Sequence, residues 1–293
     1  MKEIAVLLPC LNEEQTIAEV VKDFHHALPE AKIYVFDNNS TDHTALRASE
    51  AGAIVYKVPK RGKGRVVKQM FRLVEADIYV MADGDGTYPA ECVADLISPI
   101  ENGEADMVVG DRLSSTYFDE NKRAFHYEGN LMVRWLVNKL FHSDIHDLLT
   151  GYRAFSRNFV RRIDIKSTGF EIETELTVAA IANDFRISEV VVPYKDRTVG
   201  SQSKLNTYSD GVRIVWNIVK LFRGYKPLTF FGLLALVCAA VAIGFNIPVF
   251  IDYHNTGMVD RFPTLFCGGF MMVGALLLFC VGLILQVLCN RNG

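Results

Sequence analysis

The sequence predicts a doubly wound α/β domain followed by an amphipathic helix and two membrane-spanning helices. Two patterns predict it. Short β-branched apolar runs alternate with helix-period segments through the first half, and two long uncharged runs follow one another near the C-terminus. With 293 residues, half of them apolar, the chain can bury a full core beside a smaller second unit.

The expected strands are Ile4–Pro9, Ile33–Asp37, Ala53–Val58, Ile78–Ala82 and Met107–Gly110, short and apolar as buried parallel strands are. Between them Ile17, Val20, Val21, Phe24 and Leu28 recur at helical spacing, as do Val66, Val67, Met70, Phe71 and Val74. Such alternation argues for a doubly wound sheet, which binds ligands at the carboxyl ends of its strands. Beyond Arg112 the pattern is less regular. Residues 131–141 are apolar and aromatic, Glu171–Ile181 is helix-like, and Arg186–Tyr194 reads as a late strand. In 208–222, Val212, Val215, Trp216, Val219 and Phe222 form one helical face, which suits either a bilayer headgroup region or a protein core.

Leu228–Ile251 and Leu265–Cys289 are nearly unbroken apolar runs. About 24 helical residues reach about 36 Å, enough for a hydrocarbon core of about 30 Å. Buried helices of soluble proteins seldom stay uncharged for so long. Asp252–Thr264 between them reads as a short exposed loop. Arg213, Lys220, Arg223 and Lys226 precede the first span and Arg291 follows the second, against Arg261 alone in the loop, so both termini and the α/β domain are expected in the cytoplasm. The run Ile4–Leu11 contains Pro9 and meets Asn12-Glu13-Glu14 at once, so it is not read as a signal peptide. The six cysteines are isolated or lie in the spans, with neither disulfide nor metal spacing, as in a reducing compartment. The net charge of −3 points to no particular partner.

The chemistry is expected where polar clusters end the strands. Asp83-Gly84-Asp85 follows an apolar run, and in extended chain residues two apart face the same way, so both carboxylates can approach one divalent cation. A polar turn is the alternative. A calcium loop is not, because Thr87 and Ala94 stand where it needs ligands. In Arg61-Gly62-Lys63-Gly64 the glycines would let a phosphate approach a helix start, although the spacing is not that of a P-loop and a plain loop needs no ligand. Arg112, Arg153, Arg197 and Lys204 could each meet phosphate oxygens or simply be solvated.

Taken in order, Pro9 with Asn12-Glu13-Glu14, Asp37–Asp42, Gly62-Lys63-Gly64, Asp83–Pro89, Gly110-Asp111-Arg112, Thr150-Gly151-Tyr152-Arg153, Phe170 with Glu171 and Glu175, and Arg197 with Gly200, Ser203 and Lys204 resemble the inverting family 2 glycosyltransferases of GT-A fold, in particular the dolichol-phosphate mannose synthase-like and bacterial polyprenyl-phosphate branch. The resemblance covers essentially the whole chain. It implies a mixed GT-A sheet in a cytoplasmic catalytic domain at 1–205, an interfacial helix and linker at 206–227, and a membrane hairpin at 228–293. It also implies roles. Pro9, Leu11, Glu13 and Asp37 would hold the nucleoside, and Lys63 would lie near the donor. Asp83, Gly84 and Asp85 would line the diphosphate, with the two carboxylates on Mg2+ or Mn2+. Arg112, Arg197, Ser203 and Lys204 would meet the acceptor phosphate or the leaving diphosphate. Asp147 would orient the reacting groups, with a base role left open. Asp85, Asp147, Arg197 and Lys204 form the implied catalytic set.

The implied partners are a nucleotide-diphosphate sugar, a polyprenyl phosphate and the membrane, without nucleic acid and with a homo-oligomer as one possible assembly. Two departures from the family stand out. Asn38 occupies the place of a usual second acid, and Asp-Gly-Asp-Gly-Thr-Tyr lacks the Gln or His common in mannose synthases. The second favours UDP-N-acetylglucosamine or UDP-glucose over GDP-mannose as donor, for a product used in cell-envelope glycan modification. A processive polysaccharide synthase would show Gln-x-x-Arg-Trp, and Leu131 stands where that Gln belongs. A membrane-tethered nucleotide-sugar sensor without turnover is the non-enzymatic alternative.

Overall fold

The computed structural model describes residues 2–115, 126–193 and 207–292. Its elements are β1 (Ile4–Cys10), α1 (Ile17–Ala27), β2 (Lys32–Asp37), α2 (Thr44–Glu50), β3 (Ile54–Lys57), α3 (Lys63–Leu73), β4 (Ile78–Met81), α4 (Val93–Glu101), β5 (Met107–Asp111), α5 (His126–Phe141), β6 (Arg153–Ser156), α6 (Arg157–Arg162), α7 (Ile172–Ala182), β7 (Ile187–Val191), α8 (Thr207–Tyr225), α9 (Pro227–Thr256) and α10 (Phe262–Asn292).

The strands form one seven-stranded sheet in the order β3-β2-β1-β4-β6-β5-β7. The five early strands and the late one arise where the apolar runs predict them, and all pair in parallel. The strand that the sequence concealed is β6, which runs antiparallel between β4 and β5 and makes the sheet mixed. It is four residues long and begins with an arginine, so neither length nor alternation marks it. Running backwards, β6 brings its N-terminal end, and the loop before it, to the rim where β4 and β5 end.

Alternation along each strand sends side chains into two separate cores. Val6 and Leu8 of β1, Val80 of β4 and Val108 of β5 pack with Val20, Phe24 and Leu96 of α1 and α4. On the other face Leu7, Met81 and Val109 pack with Val67, Met70, Phe159 and Leu176 of α3, α6 and α7. Each fully buried side chain of this size contributes roughly 1.5–3 kcal/mol. The sheet is therefore covered on both sides, and its rim is left for polar groups.

The chain divides into two compact units, Met1–Ile218 and Val219–Gly293, within α8. Along α8, Ile214 and Ile218 are buried while Val212 and Trp216 are exposed. Of the apolar face read from the sequence, Phe222 is buried whereas Val212 and Trp216 point outward, Trp216 beside exposed Arg213; buried Ile214 and Ile218 lie outside that face. In the second unit α9 and α10 are each long and apolar enough to cross a membrane, and only 11 % of each apolar window is buried. A core helix of a soluble protein would be mostly covered. Here Leu236, Phe270 and Val287 are about two-thirds exposed.

The connection between these helices is shorter than Asp252–Thr264. Helix α9 continues to Thr256 and ends at Gly257, whose φ of 71° closes it, and α10 starts at Phe262. Asp252 reaches Arg261 at 3.0 Å, so the polar residues read as loop form the last turn and its cap. Between the two helices Asn246 fits against Gly268, where any side chain would collide with the amide.

Candidate active site

The site grows from the carboxyl ends of β1, β2, β4 and β5. After Cys10 the chain turns at Asn12, whose φ of 52° lies in the left-handed region that Asn tolerates. The turn braces the loop after β2. Asn12 and Glu13 donate backbone N–H groups to Ser40 Oγ (2.9 Å) and Thr44 Oγ1 (2.8 Å), and Asn12 Oδ1 accepts from Thr41 N (2.8 Å). Pro9, Leu11 and Glu13 thus share one rim with Asp37, which is buried and accepts from Ser40 N at 3.2 Å.

Asn38 holds the next loop together. Its amide N–H groups donate to Val58 O (3.1 Å) and Lys60 O (2.9 Å), and its Oδ1 accepts from Gly62 N (2.7 Å). An aspartate could keep only the last of these. Asn38→Asp should therefore leave two carbonyls facing a buried carboxylate and destabilise the α/β unit by about 2 kcal/mol or more, read from thermal unfolding.

The glycines beside Lys63 serve a protein contact. A side chain at Gly62 would collide with Thr168 O, and one at Gly64 would come within 2.5 Å of Ser167 O. The loop 166–169 lies directly on this turn, and Gly64 N donates to Gly169 O at 3.1 Å. That loop is held in turn by Glu171, which accepts from Thr168 N and Gly169 N, and by buried Glu175, which accepts from Lys166 N and Ser167 N. Of the two readings of this loop, the close approach that Gly62 and Gly64 permit is here made by backbone of the same chain.

Lys63 itself points to the rim. Its Nζ lies 2.6 Å from Asp83 Oδ1 and 2.7 Å from Glu173 Oε1. Burial pulls its pKa down, but the two carboxylates outweigh burial and hold the ammonium well above its usual range. Burial pushes the Glu173 carboxyl up, and Lys63 offsets part of that. Glu173 escaped sequence reading, because it shares its helix Ile172–Ala182 with a second buried acid, Glu175, that meets backbone N–H groups instead of a cation.

Asp83 and Asp85 do not sit in extended chain. Strand β4 stops at Met81 and the chain turns at Gly84-Asp85. Gly84 is packed so closely on Cys10 that a Cβ would strike Sγ. Buried Asp85 accepts at Oδ1 from Thr87 N (3.2 Å) and Thr87 Oγ1 (2.7 Å). Among the described residues no three His, Cys, Asp or Glu side chains converge as a metal cage. Two carboxylates are the donor set that Mg2+ or Mn2+ takes when phosphate and water complete the shell.

A second cluster adjoins the first. A side chain at Gly151 would come within 2.9 Å of Asp83 Oδ2, and Gly151 N donates to Tyr88 Oη at 2.9 Å. Arg112 Nη1 donates to the same oxygen at 3.3 Å. Arg112 also grips Asp147 in a two-point pair, Nε to Oδ2 at 2.8 Å and Nη2 to Oδ1 at 3.1 Å. Asp147 is wholly buried and takes Arg112 N and Leu149 N as well. Lys63, Asp83, Tyr88, Arg112 and Asp147 therefore form one continuous row along the rim. Tyr88 is a further residue that sequence reading passed over, and burial raises its phenol pKa so that it stays a neutral donor and acceptor. Arg197, Ser203 and Lys204 lie outside the described residues.

Residues 5–164 match the model of glycosyl transferase family 2. The glycosyltransferase AglJ of Haloferax volcanii is 31 % identical over 252 residues, which is 86 % of this chain and 82 % of that protein. A dolichyl-phosphate hexose transferase of the same organism is 30 % identical over 220 residues, 75 % of this chain and 93 % of that one. The fold is that of glucosyl-3-phosphoglycerate synthase from Mycobacterium tuberculosis, solved with Mn2+, UDP-glucose and phosphoglyceric acid, with a TM-score of 0.63 at 23 % identity over 75 % of this chain and 80 % of that one. The mixed sheet is thus of GT-A type, and with the match to residues 5–164 and the relatives just described it follows that this chain is a glycosyltransferase belonging to glycosyl transferase family 2.

Proposed function

We propose that the enzyme transfers a sugar from a nucleotide-diphosphate donor, UDP-N-acetylglucosamine or UDP-glucose, to polyprenyl phosphate with inversion, on the cytoplasmic side of a membrane and with both termini in the cytoplasm. The observation that carries this reading is the joint presence of one charged row at the strand ends and two helices with exposed apolar side chains. A lipid acceptor gives both features one purpose. The dolichyl-phosphate specificity in the name of one relative supports the acceptor class, and the UDP-glucose and Mn2+ of the solved glucosyl-3-phosphoglycerate synthase support the donor class and a divalent metal.

The residues divide the work along the row. Pro9, Leu11, Glu13 and Asp37 line the nucleoside side. Asp83 and Asp85 would hold Mg2+ or Mn2+, which neutralises a leaving diphosphate when bound. Lys63 keeps Asp83 in place and adds positive charge beside it. Arg112, with Arg197, Ser203 and Lys204, meets the acceptor phosphate. That phosphate is already an anion at neutral pH, so its oxygen attacks the anomeric carbon as the bond to the diphosphate breaks, and no proton need be removed. Asp147 accordingly orients Arg112, and its burial in that ion pair makes it no base in this reading. Exposed Trp216 and Val212 of α8 would sit in the headgroup region.

Purified enzyme in detergent, given a panel of labelled UDP- and GDP-sugars, undecaprenyl phosphate, and Mg2+, Mn2+ or EDTA, should form a lipid-soluble monophosphate sugar from one donor, with EDTA abolishing it. Donor binding without any lipid product across the panel would overturn the acceptor assignment. Transfer from GDP-mannose alone would overturn the donor assignment.

A further inference from the structure

Arg112 is aimed by Asp147, and Asp147 is in turn held by residues outside every motif. Glu189 stands on β7, opposite Val109 of β5. Its Oε1 accepts from the backbone N–H of His146 (2.8 Å) and of Asp147 (3.3 Å), and its Oε2 lies 2.7 Å from His146 Nδ1. One carboxylate therefore grips two consecutive amides and the ring between them. An ordinary surface ion pair would leave the backbone alone. This one fixes the peptide from which the Asp147 side chain springs, and the Glu189 side chain is only 18 % exposed. Arg134 of α5 and Asp111 at the end of β5 are the other described charges that act on His146, in opposite senses.

The Asp147 end of this linkage is equally constrained. Its carboxylate is wholly buried and its oxygens meet Arg112 Nε, Arg112 Nη2, Arg112 N and Leu149 N. A carboxylate with every bond direction committed transmits a backbone shift directly to its partner, because it cannot rotate to compensate without losing a buried bond. Moving the His146–Asp147 peptide would thus move the guanidinium of Arg112.

We propose that Glu189 is a positioning residue of the transfer reaction: by gripping the His146–Asp147 peptide it sets Asp147, and through it Arg112, against the acceptor phosphate. This rests on the reading of Arg112 as a ligand of that phosphate. Glu189 touches neither substrate in this scheme. Its effect is confined to the acceptor, because Pro9, Leu11, Glu13 and Asp37 lie at the ends of β1 and β2, the fourth and fifth strands away from β7 in the sheet.

The test compares Glu189→Ala, Glu189→Gln and Arg112→Ala in the full-length enzyme, measuring kcat, KM for undecaprenyl phosphate and KM for the donor sugar. Loss of a charge-assisted pair of hydrogen bonds predicts an acceptor KM about tenfold higher for Glu189→Ala, with the donor KM within about twofold of the parent. Glu189→Gln, whose carbonyl still accepts from both amides, should recover most of the loss. An unchanged acceptor KM in Glu189→Ala, alongside a raised one in Arg112→Ala, overturns the positioning role and leaves Arg112 standing. An unchanged acceptor KM in Arg112→Ala instead overturns the reading of Arg112 itself. Equal rises in both KM values for Glu189→Ala, unrelieved by Gln, mark a merely structural residue and also overturn the proposal. If Glu189→Ala does not fold, Glu189→Asp, with its carboxylate drawn back by one methylene, is read by the same criteria.

Discussion

Asp85→Asn is expected to lower kcat by about a thousandfold or more while leaving the protein folded. The substitution is nearly isosteric. The Asn oxygen can still accept from Thr87 N and Thr87 Oγ1, the bonds that shape the turn after β4. What disappears is one negative charge at the rim, beside a second carboxylate, Asp83, that is already shared with Lys63. With Asp85 neutral, the single ammonium of Lys63 faces only the carboxylates of Asp83 and Glu173, and the net negative charge left to attract a divalent cation is roughly halved. The measurement is twofold. Thermal unfolding should be unchanged within about 2 °C, and calorimetric titration of UDP should lose its dependence on Mn2+. A variant that keeps both turnover and Mn2+-dependent nucleotide binding would remove Asp85 from the metal site, whatever the fate of the lipid assay.

Arg153→Ala should have the largest effect on stability. Arg153 is wholly buried, and no carboxylate lies within ion-pairing distance of it among the described residues. Its guanidinium is satisfied by neutral acceptors: Thr150 O at 3.0 Å, Leu148 O at 2.8 Å and Thr177 Oγ1 at 2.8 Å. Burial lowers its pKa to about 10, with Glu173 and Asp147 opposing, so it remains charged at neutral pH. Truncation would leave those acceptors in a void with nothing to bond, at about 1 kcal/mol or more each, so a loss of about 3–5 kcal/mol and a fall in Tm of about 10 °C are expected. Arg153→Lys would recover only part, since one ammonium cannot reach three divergent acceptors. Because two of those acceptors belong to the loop that carries Asp147, any folded fraction should also show weakened transfer. A Tm within 2 °C of the parent, at this tolerance for one buried bond, would mean that the loop holds itself.

The parallel part of the sheet was legible because its strands are buried on both faces and read as continuous apolar runs, Ile4–Pro9 and Ile78–Ala82 among them. β6 was not, since an arginine at its start reads as surface. The charged row was legible only as separate motifs. Asp83 with Asp85, Arg112 and Asp147 each stand in sequence clusters, yet the Lys63–Glu173 and Arg112–Asp147 pairings join residues 110 and 35 positions apart, which no local pattern encodes. The glycines at 62 and 64 were recognised as a need for close approach. What approaches them is the loop 166–169, a distant segment of the same chain, and that could not be read from the turn itself. Asn38 stood out as a departure in the resemblance, and its amide donates to two carbonyls that an aspartate could not satisfy.

Because β6 lies between β4 and β5, no sheet hydrogen bond joins the first four strands directly to β5 and β7. Within the sheet itself, the hydrogen bonding between the two halves runs through a four-residue seam. The ladder hydrogen bonds that set the register of β1 to β4 are therefore made without β5 or β7.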